Sequence, residues 1–175
     1  PKGIGVLYVK QGVEFQKLQN GGHQEKDKRA GTENIPGIVG IGKAMELAYK
    51  NFDKNKKHLK MLRERFIKGI REKNENIKIN GDLEKRLPGN CNISFENVNG
   101  EELLFKLDEM GICASAGSAC SSGNTMPSHV LTAIGLPANL AEGTLRLTFG
   151  MDNTIDDVDY LIEEIGKIVK ELRNK

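Results

Sequence analysis

The sequence predicts a mixed α/β chain whose residues 75–175 form an α+β layer domain. Three observations predict it: a long apolar helix face near the C-terminus, short stretches of alternating apolar and polar residues before it, and helix and strand patterns that take turns from residue 75 onward. The last helix is the clearest element. Ile155, Val158, Leu161, Ile162, Ile165, Ile168, Val169 and Leu172 share one face. Asp156, Asp157 and Asp159 stand near its start and Lys170, Arg173 and Lys175 near its end, the order the helix dipole favours.

From the front, Gly3 to Lys10 and Val13 to Leu18 read as two short strands joined at Gln11-Gly12. Residues 19–34 are polar and glycine-bearing, a loop by composition. A helical period then holds from Ile38 to Lys73, through Ile41, Met45, Phe52, Leu62, Phe66 and Ile70. Its middle, Asp53 to Lys60, is strongly charged, as in a partly solvated helix linking two parts of a molecule. Ile77 to Asn80 and Cys91 to Phe95 read as strands, Glu101 to Met110 as a helix, and Ile112 to Ser115 as a short strand. Pro127 suits the first turn of a helix ending at Gly135. In Thr144 to Phe149, Leu145, Leu147 and Phe149 are expected inward and Thr144, Arg146 and Thr148 outward.

Composition narrows the function. With 175 residues, 38% hydrophobic and 29% charged, the chain has a globular balance. Its 26 basic and 24 acidic side chains leave a net charge of +2, which argues against nucleic acid as a partner. No apolar run has the length of a membrane span, and no signal peptide pattern opens the sequence. Three cysteines at irregular spacing make no disulfide framework, so a reducing, cytoplasmic setting is expected. The apolar run starts almost at once after Pro1. Two explanations stay open: processing of the terminus, or the back part of a larger protein.

Three positions stand out for chemistry. Cys120 lies in Ser118-Ala119-Cys120-Ser121-Ser122-Gly123, a run of small residues that cannot pack a core. There it is either an accessible nucleophilic thiol or a chance surface cysteine. Cys91 and Cys113 sit in apolar strand patterns and read as small hydrophobes. In Arg29-Ala30-Gly31-Thr32-Glu33-Asn34, Thr32 either joins free backbone N–H groups in an anion cradle, or the segment is ordinary helix capping by Thr32 or Asn34. Arg146 is a lone arginine in an uncharged strand, suited to bidentate carboxylate binding or to an internal salt bridge. His23, His58 and His129 are far apart and no metal spacing is present; His58 is expected to be solvated.

Taken in order, Pro1-Lys2-Gly3-Ile4-Gly5, Gly21-Gly22-His23-Gln24-Glu25, Arg29 to Gly37, Gly117 to Gly123, Pro127-Ser128-His129-Val130-Leu131 and Gly143-Thr144-Leu145-Arg146-Leu147 resemble the C-terminal half of a cysteine desulfurase. That family is of the class V aminotransferase type and depends on pyridoxal 5'-phosphate. The resemblance runs over the whole chain. It implies a pyridoxal-phosphate transferase type I fold, with 1–37 the end of the large cofactor-binding domain, 38–74 a linking helix and 75–175 the small C-terminal domain. It also implies conversion of L-cysteine to L-alanine and a persulfide on Cys120, with sulfur passed to an iron–sulfur scaffold or other acceptor protein. In some members the same cysteine contributes to holding an iron–sulfur cluster shared with the scaffold. Arg146 matches the arginine that binds the substrate carboxylate. Thr32 matches the threonine that reaches the cofactor phosphate of the neighbouring subunit, so a homodimer is implied.

Two departures accompany the resemblance. Asn20-Gly21-Gly22 stands where members often carry three glycines. The family's Schiff-base lysine belongs to a Ser-x-His-Lys segment before the Pro-Lys-Gly-Ile-Gly stretch, so the isolated chain is expected to be inactive, and Lys2 is a different lysine of the motif. Two further readings remain at this stage. One is a non-catalytic module that accepts sulfur or docks a partner without the cofactor lysine. The weaker one is a redox thiol protein using Cys113 and Cys120.

Overall fold

The computed structural model describes residues 1–115 and 128–174. They divide into two compact units, 1–52 and 53–175.

In the first unit the main regular element is helix α2 (Ile35–Lys50). It follows a single turn, α1 (Gln24–Asp27), in which Glu25, Lys26 and Asp27 have positive φ and wind left-handed. The strands expected at 3–10 and 13–18 do not form. A strand exists by pairing its backbone N–H and C=O groups with a neighbour, and no described residue supplies one here. Their apolar side chains lie open instead, Leu7 at 76%, Tyr8 at 85% and Leu18 at 96% exposure.

The helical stretch expected as one linking helix over 38–74 is two helices. Asn51 leaves helical geometry at φ −101° and ψ 6°, its backbone and side-chain amides both donating to the Leu47 carbonyl, and α3 (Phe52–Lys73) starts beyond it. An Asn that satisfies a terminal carbonyl ends a helix. The break falls at the division between the two units.

The second unit holds the core. Strands β1 (Ile77–Ile79), β2 (Asn90–Phe95) and β3 (Thr144–Thr148) form an antiparallel sheet in that order. Helices α3, α4 (Gly100–Glu109) and α7 (Ile155–Arg173) pack their apolar faces with one face of the sheet. Phe66, Ile70, Ile93, Phe95, Leu103, Leu107, Leu145 and Ile165 are fully buried there. Gly69 of α3 faces Ile162 of α7, and a methyl group on that glycine would collide with it, so the two helices cross closely. The capping box Thr154–Asp157 starts α7. At its other end Arg173 does more than answer the dipole: it donates to the carbonyls of Glu96, Glu75 and Asn76 at 3.0, 3.0 and 3.1 Å.

Two short helices, α5 (His129–Ala133) and α6 (Ala138–Glu142), precede β3 and bury Leu131, Leu136 and Ala141 together. The helix expected to begin at Pro127 is seen from His129, and Pro127 itself lies outside the described residues. Ile112 to Ser115 contributes one bridge, Ser115 to Arg146, and no full strand. Among the described residues, no helix is long and apolar enough to cross a membrane.

Candidate active site

Arg146 is placed by the sheet's second face. Adjacent residues of a strand point to opposite faces. In β3, Leu145 and Leu147 go into the core and Arg146 and Thr148 are exposed. Thr144 departs from the expected alternation and is buried, because its hydroxyl has partners. It bonds Ser94 Oγ at 2.6 Å and donates to the Leu140 carbonyl at 3.0 Å, while Asn80 Nδ2 donates to Ser94 Oγ and to Asn92 Oδ1 at 2.7 Å each. Satisfied in this way, a buried hydroxyl fixes strand register instead of costing stability. Gly143 sets where β3 begins: a Cβ there would run into the carbonyl oxygens of Phe95 and Val98.

Arg146 therefore stands two residues along the same polar face, directly opposite Asn92 on β2. On its other side its backbone pairs with Ser115, Arg146 N–H to Ser115 O at 2.7 Å and Ser115 N–H to Arg146 O at 3.3 Å. The guanidinium Nη2 also donates to Ser115 Oγ at 3.3 Å. Ser115 is the last described residue before 116–127. Cys120, expected as the nucleophile, lies outside the described residues.

The other two thiols differ from each other. Cys91 is fully buried, and burial pushes its pKa up to about 11, so it stays a neutral thiol. Cys113, expected to be a small hydrophobe in a strand, is exposed, because residues 112–114 form no strand that would cover it. His58, expected to be solvated, is partly buried with Nε2 3.0 Å from the Asn153 carbonyl.

Thr32 belongs to the first unit. It is exposed at the edge of an open depression of about 580 Å³, beside Gly21, Gly22, Gln24 and Gly31. Gln24 Oε1 accepts from the Gly31 N–H at 3.2 Å and ties the two sides of this depression together. Arg29 Nη1 donates to the carbonyls of Gly31 and Thr32 at 3.1 and 3.4 Å, so it braces the loop. The cap of α2 is Asn34, whose Oδ1 accepts from the Gly37 N–H at 3.1 Å. Ile35 N–H goes to Glu33 O and Pro36 has none, so these two positions offer no N–H to an anion. The Thr32 hydroxyl, which has no hydrogen-bond partner among the described residues, can donate to an anion.

Nearby, Asp27 accepts from Lys17 Nζ at 2.8 Å and lies 3.1 Å from His23 Nδ1. Those partners, Lys17 first, hold its carboxyl below the usual carboxylate range. Among the described residues, no group of three His, Cys, Asp or Glu side chains converges to hold a metal.

The family model for aminotransferase class-V matches residues 1–161. The chain is 51% identical over 175 residues to a cysteine desulfurase IscS of Clostridium botulinum, spanning 99% of this chain and 44% of that protein. It is 48% identical over 174 residues to the cysteine desulfurase IscS of Methanosarcina thermophila, at 99% and 43%. Among solved structures, a NifS-like protein superposes with a TM-score of 0.80 at 34% identity, over 93% of this chain and 41% of the other. The NifS-like protein of Rickettsia africae follows at 0.78 and 31%, over 90% and 41%. The chain thus spans less than half the length of these relatives, and its fold is that of the pyridoxal-phosphate transferases.

In the full enzyme these relatives imply pyridoxal 5'-phosphate. The residues present fit one part of that group: an exposed hydroxyl at Thr32, on an open depression lined also by Gly21, Gly22 and Gly31 and roomy enough for a phosphate. The motif order in the sequence, the sheet that carries Arg146 and the match along residues 1–161 converge, and the chain belongs to the class-V aminotransferase family.

Proposed function

We propose that this chain is part of a cysteine desulfurase, in which L-cysteine becomes L-alanine and its sulfur is taken up by Cys120. The observation that carries the reading is the pairing of Arg146 with Ser115, by backbone and side chain. Ser115 precedes Cys120 by five residues, a length of chain that reaches at most about 17 Å. A carboxylate binder and the tether of a nucleophile thus share one edge of the sheet. The similarity to proteins named cysteine desulfurase supports the same reading.

In this reading residues 1–37 belong to a large cofactor-binding domain, 38–74 link it, and 75–175 form the small domain. Arg146 holds the substrate carboxylate through two parallel N–H donors. Thr32 donates to the cofactor phosphate of a neighbouring subunit in a homodimer. Pyridoxal phosphate, when bound, withdraws electrons from the substrate Cα. The Cys120 thiolate attacks the substrate sulfur and an S–S bond forms. The Cβ–S bond breaks and leaves its electron pair on carbon, which takes up a proton to give alanine. The persulfide then passes to an iron–sulfur scaffold or another acceptor protein, and Cys120 can share a cluster with that scaffold. A cytoplasmic setting suits a thiol that must stay reduced.

Alanine formation from L-cysteine by the holoenzyme tests this directly. Arg146→Gln is expected to raise KM by about thirtyfold, the loss of a charge-assisted bidentate contact. No alanine from the unaltered holoenzyme would contradict the reading. The 175 residues alone, which contain no Ser-x-His-Lys segment, are expected to form no more alanine than pyridoxal phosphate does by itself. A second reading, a sulfur-accepting or docking module, is favoured by one observation: the core cluster draws only on residues of the 53–175 unit. A docking module would carry no pyridoxal absorbance in its full-length form.

A further inference from the structure

We infer that Ser115 is a positioning residue for the carboxylate-binding guanidinium of Arg146, an inference that rests on the reading of Arg146 proposed above. An arginine side chain is long and rotatable, and a bidentate contact needs its plane fixed before the ligand arrives. Three hydrogen bonds join Arg146 to Ser115. Two run between the backbones, at 2.7 and 3.3 Å, and the third runs from Nη2 to Ser115 Oγ at 3.3 Å. Directly opposed residues of an antiparallel pair send their side chains to the same face, so the Ser115 hydroxyl and the guanidinium share a surface by construction of the sheet. Both backbone groups of Arg146 turn toward Ser115, so the two residues are tied by main chain and side chain alike.

The chemistry of the partner matters as much as its place. A carboxylate beside Arg146 would orient it and also neutralise it, competing with the substrate's own carboxylate. A hydroxyl accepts one of the five guanidinium N–H groups and leaves the positive charge intact. On the opposite strand Asn92 is neutral as well, its Oδ1 already accepting from Asn80. Ser115 and Asn92 thus flank Arg146 without cancelling its charge, which suits it to recognise the carboxylate of an amino acid and to discriminate against the corresponding amine.

The test compares holoenzyme variants in L-cysteine turnover and in competition by two small molecules, L-alanine and cysteamine, the second lacking a carboxylate. Ser115→Ala is expected to raise KM for L-cysteine about fivefold to tenfold with kcat within about twofold. Inhibition by L-alanine should weaken by the same factor while inhibition by cysteamine stays unchanged. Ser115→Thr keeps the hydroxyl at a strand position and should restore KM to within about twofold. An unchanged KM in Ser115→Ala would overturn the inference. So would equal losses toward L-alanine and cysteamine, which mark a merely structural role. Arg146→Gln separates the two levels. If it raises KM and Ser115→Ala does not, only this inference fails; if it leaves KM unchanged, the carboxylate reading fails and takes this inference with it.

Discussion

Residues 1–52 and 53–175 carry apolar side chains in comparable patterns, yet only the second unit buries them. In the first, Ala30 is the one buried hydrophobic residue among those described, and α2 buries none of its residues. In the second, three strands and three helices close over a shared core. The difference teaches that an apolar pattern states what a segment is suited to bury, whereas burial needs a partner surface. β2 has a neighbour on each side, and the run from Ile4 to Val9 pairs with no described strand. Each unit still carries a described candidate site residue. Thr32 stands on a loop braced by local hydrogen bonds, and Arg146 on a sheet face fixed by a buried polar network.

The widest separation between the units should appear in stability. Phe66 is fully buried and packs at 5.9 Å between ring centroids against Phe149. Phe66→Ala is expected to cost about 3–5 kcal/mol, and Leu18→Ala no more than about 0.5 kcal/mol. Thermal or denaturant unfolding of the chain checks both, and a large loss from Leu18→Ala would break the comparison.

A smaller effect lies in acid. The backbone N–H of Thr154 donates to Asp157 Oδ2 at 2.8 Å and holds that carboxyl below the usual carboxylate range. The folded state thus favours the ionised form. Its contribution is present above the unfolded-chain pKa, about 3.9, and is lost as the pH falls through the lower folded value. Asp157→Asn should therefore flatten the acid limb of melting temperature against pH. Asp27→Asn, in the first unit, should leave the main transition where it is, although Asp27 is also held low by Lys17. Equal flattening by both variants would show that the two units melt together.

Much of the second unit was legible in the sequence because its elements are periodic and end in recognisable caps. The face of α7 from Val158 to Leu172 is buried as its spacing requires. Leu103 and Leu107 of α4 are buried likewise. What escaped the sequence depends on partners far along the chain. Thr144 looks like an outward residue until Ser94, fifty positions away, meets its hydroxyl. His58 finds its carbonyl 95 positions on.

The break at Asn51 interrupts a pattern whose apolar spacing runs straight through it. Arg146 and Thr32 could be singled out, one as a lone charge in a strand and the other as a hydroxyl before a helix. Ser115 could not, since nothing near it in sequence announces a pairing with a residue 31 positions later.

The central claim is that Cys120 receives the sulfur of L-cysteine. The most direct measurement is the mass of the Cys120-containing peptide after the holoenzyme has been mixed with L-cysteine and excess free thiol trapped. The account predicts one added sulfur atom on that peptide and none on the peptides of Cys91 or Cys113. An unmodified Cys120 peptide while alanine accumulates, or the added sulfur on Cys113 instead, would contradict it.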